Sequence, residues 1–143
     1  MSIPDLVDAL LAHFPAGHEG LIALVDLAVL VAVADGHIDD AEMAALTESI
    51  EAIAGGRLHG SLARHLVEAS CAQIRGQGPE ASARLIGEVL AGRHAGEEGL
   101  RLGLAVAFAS EGLAGVERER LEQVAAAAGV AAERVAELCA EPR

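Results

Sequence analysis

LAVLVAVADGHIDDAEMAAL, residues 27–46, passes from an uncharged apolar segment, through an acid–glycine pair, into a segment that opens on acids. Apolar residues occupy every side of the first part at helical spacing, so the spacing predicts a helix covered on several faces. That run extends back to Glu19 and ends at Ala34. Its apolar core, Leu21 to Ala34, is too short to span a bilayer and contains Asp26. Four carboxylates, Asp35, Asp39, Asp40 and Glu42, then fall within eight residues. Whether they form only a turn and a helix cap, or a metal site, decides how much function the sequence carries.

Working outward, glycine and proline divide the chain into about eight helical pieces. Pro4 suits the first turn of a helix reaching about Phe14. The central helix follows, then one from Asp39 or Asp40 to the Gly55-Gly56 pair. Ser61 is a plausible N-cap for a helix to Arg75. Pro79 opens another to about Leu90, with Leu85, Ile86, Val89 and Leu90 as its buried stripe. Helices over 96–110, 116–128 and 131–140 complete the chain. Alanine, leucine, glutamate and arginine are abundant, and Phe14 and Phe108 are the only aromatics. This composition favours helix throughout. Small side chains also let helices approach at the near end of the usual ~8–10 Å spacing. The expected fold is all-α, one compact domain over 1–143.

The quoted stretch has an echo. LGLAVAFASEGLAGVERERL, residues 102–121, pairs Asp35 with Glu111, Gly36 with Gly112, Glu42 with Glu117 and Leu46 with Leu121, after a one-residue deletion in the turn. The repeat implies two helix-turn-helix halves, about 19–56 and 97–130, related by a pseudo-twofold.

Charge is uneven. The net charge is −12, there is no lysine, and residues 1–56 hold ten acids and no arginine. Residues 57–143 hold twelve acids and all ten arginines, and all six aspartates lie in the first forty residues. An anionic surface of this kind repels nucleic-acid phosphates and anionic lipid, and attracts cations or basic proteins. Cys71 and Cys139 are too few and too far apart for a disulfide framework or a thiolate zinc site. Asp5 and Asp8 stand where a secretory leader would carry basic residues, which reads as a cytoplasmic protein without membrane insertion.

Two readings of the acidic turn stay open. Without a metal, Asp39 and Glu42 form a capping box and Gly36 closes the preceding helix. A carboxylate at Asp35 is then unexplained, because it opposes the helix dipole. With a metal, DGHIDDAE matches the last eight positions of an EF-hand loop, with Asp35 and Glu42 as ligands and Asp39 acting through water. The two earliest ligand positions fall on Val31 and Val33, which cannot coordinate a hard cation, so a complete loop is excluded. Further ligands would come from Glu111 and Glu117 of the second copy. His37 beside the acids reads as a solvent-facing turn residue, and His65 and Glu68 as exposed. Asp26 reads as hydrogen-bonded to a neighbouring helix or as functional. No phosphate loop, nucleophile elbow or basic-aromatic patch is present, so no enzyme is expected.

The paired ADGxIxxxE-like elements, each following an apolar helix, resemble the TerB-like family of tellurite-resistance helical domains, whose relatives include the N-terminal domain of DjlA-type membrane co-chaperones. The resemblance covers roughly Leu21 to Val130. In the second element Glu111 replaces the usual Asp and the turn is a residue short. It implies an all-α fold of about seven helices with internal symmetry. It also implies a divalent cation such as calcium at Asp35, Asp39 and Glu42, with Glu111 and Glu117 of the second element as the matching positions. The role it implies is an adaptor in bacterial metal or stress response near the membrane. The competing expectation is a metal-free acidic module that docks a basic protein partner, or a homodimer through an Ala/Gly-lined face.

Overall fold

A computed structural model describes residues 2–33, 37–110 and 115–141. Among them are eight helices: α1 (Ile3–Leu11), α2 (Gly17–Ala32), α3 (Asp40–Ala54), α4 (Gly60–Gln77), α5 (Pro79–Gly92), α6 (Gly96–Ser110), α7 (Gly115–Ala128) and α8 (Ala132–Ala140). The protein is all-α, as its composition implies.

Local chemistry sets most of the helix ends. Ser2 accepts from the Asp5 amide while the Asp5 side chain accepts in return, with Pro4 in the first turn of α1. Gly55 ends α3 in the left-handed region (φ 62°), where a Cβ is costly. Several ends differ from the sequence reading, and α1 already stops at Leu11 rather than about Phe14. α2 runs from Gly17 to Ala32 and its C-cap, Val33, is extended. α4 begins at Gly60 behind His59, so Ser61 lies inside the helix and no side chain caps it.

α2 is the hub. It touches α1, α3, α4, α5, α6 and α7, and Leu24, Val25, Leu27, Val29 and Leu30 on it are buried. A helix covered on so many sides needs apolar residues all round, which is the pattern its sequence shows. Val31 and Val33 also lie in the core, which is why the EF-hand register fails there. Leu27 faces Gly103 at the middle of α6, where the two central helices meet.

The closest helix pair is α5 with α7. A Cβ built on Gly87 would lie 2.5 Å from the Val124 carbonyl oxygen and 2.5 Å from the Ala127 Cβ. Ser82, Ala83, Ile86, Gly87 and Leu90 form the buried side of α5. Leu85 and Val89, expected in the buried stripe, are 41% and 49% exposed instead. Small residues can bring the helix axes close, and the larger neighbours are then left flanking the contact.

Candidate functional site

The described part of the acidic turn is the start of α3. Asp39 is its N-cap, in the extended region. The Glu42 amide donates to Asp39 Oδ1 at 2.7 Å, and the Asp39 amide donates to Glu42 Oε1 at 3.1 Å. This reciprocal box satisfies two amide donors that a helix start otherwise leaves open. Asp35 and Glu111 lie outside the described residues. Glu117 falls in the first turn of α7, and its side chain also lies outside them. Among the described residues, α3 and α7 do not touch, and no three His, Cys, Asp or Glu side chains are grouped to hold a metal ion. Of the five candidate ligands, the structure therefore brings together Asp39 and Glu42, and joins them to each other.

Beyond its cap, α3 carries an acidic side. Asp40 and Glu48 are exposed and Glu51 is half-buried. Asp40 lies seven residues before buried Thr47 and Glu51 four after it, so both border the buried stripe of Thr47, Ile50 and Ala54, and Glu48 lies farther round the helix from it. The helix has no basic residue, and Asp40, Glu42, Glu48 and Glu51 make no ion pair among the described residues. Glu48 and Glu51 lie in the half of α3 where the helix dipole disfavours anions. Acids elsewhere are used differently. Arg134 bridges Glu97 and Glu137 at 2.8 and 2.7 Å, and Arg101 forks onto Glu141 with two contacts of 3.2 Å. Those contacts tie α6 to α8 and the residue after it, and the hydrogen bond from Arg134 holds the Glu97 carboxyl below its ordinary pKa.

A second feature lies on another side of the molecule. A trough of about 590 Å³ runs between α2 and α5, with Asp26, Ile22 and Ala23 on one wall and Leu85, Ile86 and Val89 on the other. Asp26, singled out in the sequence as a buried acid needing a partner, has one in the Ser70 hydroxyl of α4. Burial raises its pKa, and the Ser70 hydrogen bond opposes the rise. With the folded pKa above the ordinary 3.8, ionisation of Asp26 works against folding. The cost is absent below the unfolded pKa and complete above the folded one. Asp26→Asn is therefore expected to be more stable than wild type at pH 7. The advantage should fade as the pH falls through the raised folded pKa and be gone below 3.8. Urea midpoints of both proteins at pH 7 and pH 3 check this, and a wild type as stable as the variant at pH 7 contradicts it.

His37, His65 and Glu68 are exposed, Cys71 is buried, and Cys139 is half-buried. The trough's open rim of Ile22, Leu85 and Val89 was not read from the sequence. Nothing in the apolar spacing of α2 and α5 separates those residues from core. No helix among the described residues is long and apolar enough to cross a membrane. No protein-family model matches the sequence, and no curated protein or solved structure matches the chain.

Proposed function

We propose that this chain is a non-enzymatic helical adaptor of TerB-like type, which docks a basic protein partner on the acidic side of α3. The observation that carries this reading is the set of carboxylates at Asp40, Glu48 and Glu51. They have no ion pair among the described residues; Asp40 suits the positive end of its own helix, whereas Glu48 and Glu51 do not serve theirs. A basic partner would supply the missing countercharge, and the small side chains of Ala41, Ala44 and Ala45 between them would let it approach closely. The proposed setting is the cytoplasm, in the metal- or tellurite-stress role that the family resemblance implies. Protein captured from a cell lysate should be released by about 0.5 M salt, where screening is strong, and should be lost with Asp40→Asn/Glu48→Gln/Glu51→Gln. Capture that ignores both would overturn the reading.

A second reading keeps a divalent cation at the acidic turn. What favours it is that the cap engages Asp39 through Oδ1 and Glu42 through Oε1, while both side chains are exposed. One oxygen of each remains for an oxygen-preferring cation such as calcium, with Asp35, Glu111 and Glu117 as the proposed further ligands. At a cation concentration 100 times its Kd the folded state gains ~2.7 kcal/mol. Melting with and without Ca²⁺, Mn²⁺ and Mg²⁺ should then show a rise that Asp35→Asn/Glu42→Gln removes. No shift at millimolar cation would sink this reading.

The internal pseudo-twofold belongs with the same proposal. Matching α1–α4 to α5–α8 in order exchanges the contacts α1·α2 with α5·α6, α1·α3 with α5·α7, α2·α3 with α6·α7 and α2·α4 with α6·α8. Among the described residues, the contacts of α2 with α7 and of α4 with α5 have no counterparts between α6 and α3 or between α8 and α1. This pattern supports a repeat wider than the two halves read from the sequence.

A further inference from the structure

The trough between α2 and α5 has a chemistry that its own chain does not complete. Its rim is apolar and open: Ile22 and Leu85 are each 41% exposed and Val89 is 49% exposed. Its charge is acidic, from Asp26 and Glu88. The one basic residue lining it, Arg93, is held by Glu19 at 2.7 Å. Asp26 therefore sits among apolar walls with a hydroxyl for a partner and no cation. Spacing adds a shape. Ile22 and Asp26 are one turn apart on α2, and Leu85 and Val89 are one turn apart on α5. Two such ridges suit the i, i+4 ridge of a third helix laid along them. Exposure this high at the rim fits a helix resting in an open trough better than an enclosed small molecule.

We propose that this trough is a docking site for an amphipathic helix of another protein that carries a single lysine or arginine among its apolar anchors. The apolar anchors cover Ile22, Leu85 and Val89, and the cation meets Asp26. A helix with a neutral residue at that point would seal the carboxylate without countercharge, which is costly, so the trough selects for the basic residue. The site is separate from the acidic side of α3, and neither reading depends on the other.

The test uses two synthetic helical peptides of about 18 residues, long enough to hold some helix alone. Both carry leucines at i, i+4 and i+7 on an alanine–glutamine background; one has a lysine beside the middle leucine and the other a glutamine. Binding is read by fluorescence anisotropy on the full chain. The lysine peptide should bind at least about tenfold more tightly than the glutamine peptide, as a desolvated charge pair allows. Asp26→Asn should bring that ratio close to one, and Val89→Glu, at a position nearly half exposed, should weaken both peptides at least about tenfold. Asp40→Asn/Glu48→Gln/Glu51→Gln should leave the ratio unchanged, which separates failure here from failure of the α3 reading. Circular dichroism melts confirm that each variant is folded. Equal affinity for the two peptides, no binding of either, or an inert Val89→Glu would overturn the proposal. So would sedimentation showing a dimer that Val89→Glu converts to monomer, since the trough would then belong to a second copy.

Discussion

Gly87→Ala is expected to destabilise the protein by about 2–3 kcal/mol, although alanine is the better helix former by about 1 kcal/mol. The reason is the approach of α5 to α7. The added Cβ would stand 2.5 Å from the Val124 carbonyl oxygen, 2.5 Å from the Ala127 Cβ and 3.0 Å from the Ala128 amide nitrogen. Two of these are backbone atoms, which move only if the helix moves. Relief requires the two axes to separate, and separation opens gaps around buried Ala83, Val124 and Ala125. Gly92→Ala is the matched control. It lies in the same helix with nothing within 4 Å of the added Cβ, so it should be neutral or stabilising by up to about 1 kcal/mol. Urea denaturation of the three proteins reads both signs. A Gly87→Ala protein as stable as Gly92→Ala would show that α5 and α7 do not pack this closely.

The second large effect is expected at the hub. Leu27 is 1% exposed, and its methyls lie 3.6 and 3.7 Å from the point where a Cβ on Gly103 would stand. Leu27→Ala removes the bulk that fills the meeting point of α2 and α6. Gly103 on α6 has no side chain to fall into the space; Leu121 of α7, which also packs on Gly103, is the neighbour that would have to relax toward it. The cost should reach about 2–5 kcal/mol, the range for leucine truncation in a rigid core. Against an ordinary domain stability of about 5–15 kcal/mol, this is a substantial share. A urea midpoint lowered by less than about 1 kcal/mol equivalent would mean that α2 is not the hub.

These two sites also show what was legible in the sequence. The uniform apolar surface of residues 19–34 announced a covered helix, and α2 is that helix. Gly55, Pro79 and Gly129 marked real ends, because positive φ and a missing amide are local demands that tertiary packing seldom overrides. The faces of α5 were less legible. Apolar spacing credits large residues with burial, yet small Ser82, Ala83 and Gly87 are buried, Gly87 against α7, and Leu85 and Val89 rim the trough. Which side a second helix covers depends on how closely it can approach, and small residues decide that only once the partner is known. For the acidic turn, the capping pattern of Asp39 and Glu42 was readable because it spans three residues. A ligand set drawn from Asp35, Glu111 and Glu117 depends on long-range placement that spacing alone does not fix. Asp26 was legible as an acid in need of a partner, though not that the partner would be Ser70.

The central claim is that the carboxylates of α3, and not the general acidity of the chain, form the docking surface. Affinity for a lysine-rich peptide, measured by calorimetry at two salt concentrations, tests it most directly. Three proteins are compared: wild type, Asp40→Asn/Glu48→Gln/Glu51→Gln, and Glu68→Gln/Glu80→Gln/Glu133→Gln, which removes the same charge from exposed sites on α4, α5 and α8. The α3 variant is predicted to bind at least about tenfold more weakly than wild type, and the control within about twofold. Equal weakening in both variants, or none in the α3 variant, would contradict the claim.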